Sequence, residues 1–229
     1  MAPRTVDLVG DFAGDELFMI DGDALLLQCF SNEKLDFSPG FQVLHATYLV
    51  EKILQKLQQR KCVFEIIFFA QNAPLCIPAY ADAEIHDRYL LAREAIIQHL
   101  ISISLQSTNR LRVKQFESYL SKSFETHLIK SGVYLFMCHD GAVATQHEDE
   151  TPSDEGDAPT DSESDGNSES DGSDEEIDEN ETGAIPHGMR SRIQHRMMIN
   201  WFFGRGYNVA LVNSLEFRDT KVPTSHEIR

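Results

Sequence analysis

Residues 17–23 read LFMIDGD and residues 63–70 read VFEIIFFA, and the stretch between them carries one helical stripe. Leu17 to Ile20 is a short apolar run preceded by Gly14 and closed by Asp21-Gly22-Asp23, the pattern of a buried strand that runs into a turn. Pro39 and Gly40 then break the chain, after which Ala46, Leu49, Val50, Ile53 and Leu57 recur at spacings of three and four until a stop near Arg60. Val63 to Phe69 is β-branched and aromatic, and Ala70-Gln71-Asn72 followed by Pro74 ends it. Strand, helix and strand in this order require a parallel pair, because a crossover helix returns the chain to the same edge of the sheet.

Working outward, the spacing predicts a helix over Ile85–Ser102 and another over Leu111–Lys130, the second carrying Val113, Phe116, Leu120 and Phe124 and closed by Gly132. Val133 to Cys138 (VYLFMC) is a third strand that runs into His139-Asp140-Gly141. A helix over Met189–Phe203 closes at Gly204 and Gly206, and Asn208–Val212 is a fourth strand. The fold class is therefore α/β, a mostly parallel central sheet flanked by helices.

Charge divides the chain more sharply than hydropathy does. Between Glu148 and Glu181 lie 17 Asp and Glu and no Lys or Arg; removing them from the chain's 37 acids leaves 20, matched by 20 Lys and Arg. The net charge of -17 thus belongs to an acidic Ser/Asp/Glu-rich insert, not to the globular part. Such a composition buries too little apolar surface to offset the entropy of ordering, so residues 144–183 read as a disordered insert between a first part, 1–143, and a second, 184–229, of one domain. Nothing after Pro223 reads as a closing element, which suggests a fragment of something longer. Cys29, Cys62, Cys76 and Cys138 form no CxxC pair, and three of them sit in apolar runs, which argues for a reducing compartment and against a zinc site. With no apolar signal core at the N-terminus and no run of 18 apolar residues, the expected location is the cytoplasm, away from any membrane.

In an open parallel sheet, ligands bind beyond the carboxyl ends of the strands. Those ends carry Asp21 and Asp23, Ala70, Asp140 and Asn213, and Glu51 adds a carboxylate from an otherwise apolar helix stretch. Such oxygen ligands suit Mg²⁺ or Mn²⁺, and paired ions activate water against a phosphodiester. Each acid alone is equally an ordinary turn former or helix cap. Asp21-Gly22-Asp23 also resembles the nucleophile motif of haloacid-dehalogenase-type phosphotransferases, but Ala24 and Leu25 stand where that family has Thr. His45 and His99 read as hydrogen-bonded structural histidines, and His139 beside Asp140 is the one retained as a site candidate. In the Met189 helix, Arg190, Arg192, Arg196 and Arg205 with His195 and Trp201 form the best RNA-contact surface, arginine for phosphate and an aromatic for base stacking. The alternative is an amphipathic helix that buries Ile193, Met197 and Trp201 and turns its arginines outward. In the insert, Ser162, Ser168 and Ser173 each precede an acid by three residues, a pattern for acid-directed kinases, and phosphorylation there would deepen a polyanion able to compete with RNA.

The stretches FMIDGDALL (18–26), FQVLHATYLVE (41–51), FEIIFF (64–69), LLAREAIIQHL (90–100), LFMCHDGA (135–142) and NSLEFRDTKV (213–222) together resemble the N-terminal PIN-like region of the large Ski2-like DExD/H-box RNA helicases related to the interferon-inducible antiviral helicase sixty. The resemblance covers most of residues 7–222 apart from the insert. It implies a PIN-like three-layer fold and, by position, Asp21, Glu51 and Asp140 as the acids that bear catalysis, with Asp23 beside them as a further metal ligand. Ala70 departs from the pattern, which would favour an acid after the second strand. No GxxxxGK[ST] phosphate loop and no DExD/H box occurs in the chain, so the helicase motor is absent from it. The resemblance implies single-stranded RNA, a helicase motor and RNA-decay or antiviral factors as partners. Two functions follow from it: an RNA-binding or protein-docking module with a degenerate acidic site, or an active Mg²⁺- or Mn²⁺-dependent ribonuclease.

Overall fold

A computed structural model describes residues 16–37, 40–105, 111–141 and 185–211, together with the backbones of 4–7 and 221–224. In chain order the elements are β1 (Arg4–Asp7), β2 (Leu17–Asp21), α1 (Gly22–Phe30), α2 (Val43–Gln59), β3 (Val63–Phe69), a 3₁₀ segment (Ala70–Cys76), α3 (His86–Ser104), β4 (Arg112–Phe116), α4 (Lys122–Ser131), β5 (Leu135–Cys138), α5 (His187–Gly204), β6 (Asn208–Leu211) and β7 (Lys221–Thr224). The sheet order is β1-β7-β6-β5-β2-β3-β4. The five strands from β6 to β4 are all parallel, and β7 and β1 extend the β6 edge in antiparallel fashion.

The alternation of side chains along each central strand splits the core in two. Phe64, Ile66 and Phe68 of β3 point to the face covered by α1, α2 and α3, where they join Leu26, Phe30, Val50, Leu54 and Ile96. Ile67 and Phe69 point to the other face, where Phe124 and Leu128 of α4 and Met198 and Phe202 of α5 cover them. Both faces are buried, so the central strands read as continuous apolar runs. β5 and β6, which flank the acidic insert in sequence, pair within this one sheet.

Three segments differ from the sequence expectation. Residues 111–130 are not one helix: Arg112–Phe116 is an edge strand and the helix begins only at Lys122, capped by the Ser121 hydroxyl. The helical spacing was carried by Leu120, which is 62% exposed, whereas the open edge of β3 offers β4 five residues of parallel pairing. The turn expected at Asp21-Gly22-Asp23 is a helix start, with Asp21 as N-cap of α1. Gly22 is required there because the ring of Phe68 occupies the space a Cβ would fill, 2.3 Å away. The segment after Pro223, expected to add no element, includes the end of β7. Asn213, Val212 and the insert with Ser162, Ser168 and Ser173 lie outside the described residues.

Candidate functional site

The parallel topology brings the carboxyl ends of β2, β3 and β5 side by side, and with them Asp21, Phe69-Ala70 and Cys138-His139-Asp140. Asp21 is fully buried; its Oδ1 accepts a hydrogen bond from the Asp23 amide at 3.2 Å, and its Oδ2 has no partner among the described residues. Burial, and then the neighbouring Asp23 charge, hold the Asp21 carboxyl well above its ordinary range. Asp23, two residues on, is raised to about 6 by burial, against the counteracting Arg93.

Arg93 is the residue that the sequence argument did not single out. It projects from the buried face of α3, between Tyr89 and Ile96, and its Nε and Nη2 donate to the two oxygens of Asp23 at 2.5 and 3.1 Å. The same Nη2 donates to the Phe69 carbonyl at 3.2 Å, and the guanidinium lies 5.5 Å from the centre of the Phe68 ring. One side chain therefore ties the end of β3 to the start of α1. The available signal was an arginine on the apolar stripe of a helix, which requires a buried acid opposite it.

The other carboxylates do not join this pair in a metal-binding set. Glu51 accepts a hydrogen bond from His99 Nε2 at 2.8 Å, both side chains being partly exposed on the α2–α3 pair. Asp140 is partly buried, 3.9 Å from His139 Nδ1, and its charge and that of Asp21 both act on the buried Cys138 thiol and help keep it protonated, behind the larger effect of burial. Among the described residues no group of three or more His, Cys, Asp or Glu is arranged to hold a metal ion. The residues at the crevice thus do not fit a two-ion or even a three-ligand site. Asp23, expected as a ligand, is committed to Arg93, and Ala70 is exposed at the head of the 3₁₀ segment.

On the α5 side of the crevice stand two buried histidines. His139 Nδ1 accepts from the Gly141 amide at 2.8 Å, and its Nε2 has no partner among the described residues. The His195 ring lies 5.4 Å from that of His139 and is fully buried. Burial pushes His139 down to about 4 and His195, also repelled by His139, down to about 3.

The face that α5 buries is Ser191, His195, Met198 and Phe202. His195 is thus no surface contact, and the expected buried stripe is reversed: Ile193 and Met197 are 45% and 56% exposed. The reason is Gly141, whose positive φ and missing Cβ let the β5 turn pack directly on the α5 backbone at Arg192. The arginines do not share one face. Arg192 and Arg196 stand one turn apart on one flank, and Arg190, which donates to the Ile185 carbonyl, lies on the other. Trp201 is part of the aromatic cluster with Tyr119, Phe124 and Phe202, and Arg205 stacks on it at 3.8 Å while pairing with Glu125. None of the four cysteines is in a disulfide, and no helix among the described residues is long and apolar enough to cross a membrane.

No solved structure matches the chain. The family model described as the PIN-like domain of the ATP-dependent RNA helicase DDX60 matches residues 2–150, from ahead of β1 to beyond β5, a span that includes Asp21, Asp23, Arg93 and Asp140. The chain belongs to this family: it is a PIN-like module of the DDX60 helicase type.

Proposed function

We propose that this PIN-like module binds single-stranded RNA or docks proteins in the cytoplasm, within a Ski2-like DExD/H-box assembly, without cleaving RNA. The observation that carries this reading is the bidentate Arg93–Asp23 pair. A guanidinium bound to a carboxylate neutralises it from within the fold, and the Arg93 contact to the Phe69 carbonyl occupies the end of the strand where Ala70 supplies no acid. A carboxylate already neutralised by its own arginine has little electrostatic demand for a divalent ion. RNA contact falls to one arginine flank of α5, exposed Arg196 with half-buried Arg192 beside it, with Arg190 on the opposite side.

The unpartnered Oδ2 of Asp21 is the one feature that favours the second reading, an active metal-dependent ribonuclease. One experiment separates the two. The chain is incubated with a labelled single-stranded RNA in Mn²⁺, and binding is followed by fluorescence anisotropy across a salt series. The binding reading expects no cleavage, unchanged affinity for Asp21→Asn, and several-fold weaker binding with a salt slope reduced by about 2 for Arg192→Glu/Arg196→Glu. Mn²⁺-dependent cleavage that disappears in Asp21→Asn would overturn it.

A further inference from the structure

At the rim of the sheet opposite the acidic crevice lies an open cleft of about 640 Å³, lined by Leu17, Glu65, Ser104, Val113 and Ser131 and by four basic side chains, Arg112, Lys114, His127 and Lys130. Its construction follows from the edge strand. Arg112 and Lys114 are two residues apart on β4 and share the face that α4 covers, and α4 brings His127 and Lys130 one turn apart onto the same space. Edge strands carry charge to discourage pairing with other chains, and solvent alone would satisfy that need. Here α4 stands beside the charged face and adds two more basic groups to it.

The floor is Glu65, 2% exposed on a central strand. His127 Nε2 donates to its Oε2 at 2.6 Å, and Lys114 Nζ lies 3.3 Å from its Oε1. Lys114 Nζ is also 3.2 Å from His127 Nδ1; an ammonium can only donate, so Nδ1 accepts and Nε2 is the nitrogen that carries the hydrogen. This closed three-residue network fixes Lys114 and the imidazole, which also stacks on Phe116 with ring centres 5.4 Å apart. Both oxygens of the single carboxylate are thereby engaged. Arg112 and Lys130 make no ion pair among the described residues, and three cations against one carboxylate leave the cleft two positive charges in excess.

We propose that this cleft binds a phosphate dianion, either inorganic phosphate or the terminal group of a monoester. A dianion matches the excess of two positive charges, the Arg112 fork and the Lys114 and Lys130 ammonium groups supply its donors, and Ser104 and Ser131 add hydroxyls. The volume falls within the usual range for small-ligand sites and accommodates more than a bare anion. The phosphate can be free or can be carried by a nucleoside, and calorimetry on the full chain distinguishes the two sources. Inorganic phosphate, adenosine 5′-monophosphate and adenosine are titrated in turn against the parent chain, Arg112→Ala/Lys130→Ala and, as a control remote from the cleft, Lys52→Ala.

The expected result is binding of phosphate and of the monophosphate, none of adenosine, a loss of at least tenfold in the double variant and no change in Lys52→Ala. Tighter binding of the monophosphate than of phosphate would make a nucleotide the source, and equal binding would make it the free ion. Both substituted side chains are exposed, so an unchanged thermal midpoint verifies that the variant is folded. Absence of phosphate and monophosphate binding at millimolar concentration, or binding that the double variant retains, would overturn the proposal.

Discussion

Asp21 is a fully buried carboxyl at the crevice, with one oxygen capping α1 and the other without a partner among the described residues. The folded group titrates above the ordinary value of 3.8, so the folded chain holds a proton that the unfolded chain releases. Its contribution to stability therefore declines as pH rises past about 3.8, until the folded group itself ionises. Asp21→Asn keeps an oxygen for the Asp23 amide and removes the charge. It should raise the thermal midpoint at pH 8 by several degrees, where about 1 kcal/mol corresponds to 2–4 °C in a chain of this size. The gain should vanish below about pH 4, and a calorimetric scan at the two pH values checks it.

The two histidines act in the opposite sense. The unfolded chain takes up protons from about pH 6.5 downward, while folded His139 and His195 wait until about 4 and 3, so stability falls as pH drops through that interval. Asp23, held at about 6, partly offsets this between 3.8 and 6, so the informative readout is a difference between two chains. His195→Leu should lose less stability than the parent between pH 7 and pH 4.5 in urea titrations at each pH. An equal loss in both would mean that His195 is not the acid-sensitive group. At this scale the sequence was informative about identity and silent about pairing. Asp21 and Asp140 stood out because each follows an apolar run, but the partner of Asp23 lies 70 positions away on α3. Glu51 looked like a ligand within an apolar stretch, yet a helix position at the flank of the stripe only has to reach its neighbour, and that neighbour is His99.

Among the elements, α2, α3 and the central strands were legible because burial on one face or on both imposes a period that few sequences mimic. α5 was not. Its moment is blurred by Ser191 and His195 on the inner face and by Met189, Ile193 and Met197 on the outer, and only the contact with Gly141 explains which side packs inward. That contact is testable. In Gly141→Ala the residue sits at φ 81° and its Cβ would lie 2.8 Å from the Arg192 Cα. The strained backbone alone costs about 1–3 kcal/mol. Urea unfolding should report a loss of at least that size, and hydrogen exchange should increase first along α5. β4 failed for a complementary reason: an edge strand is half solvated, so Arg112–Phe116 shows no apolar run, and its identity is fixed by the partner it completes.

For the whole molecule, the alternation of strands and helices anticipated the parallel centre of the sheet. It could not anticipate the order of the edges, because β1 and β7 are joined by backbone pairing across nearly the full length of the chain. Their register has a topological corollary. Arg4 faces Thr224, so β7 ends where β1 begins, and a short glycine-containing loop between them would turn the pair into an ordinary hairpin. A chain reconnected there and reopened between residues 147 and 184 would be a circular permutant with the same sheet order, its new ends lying in the acidic segment. It should match the parent's urea midpoint to within about 1 kcal/mol, and a permutant that fails to fold would mean that the fold depends on the order in which its strands are made as well as on their contacts.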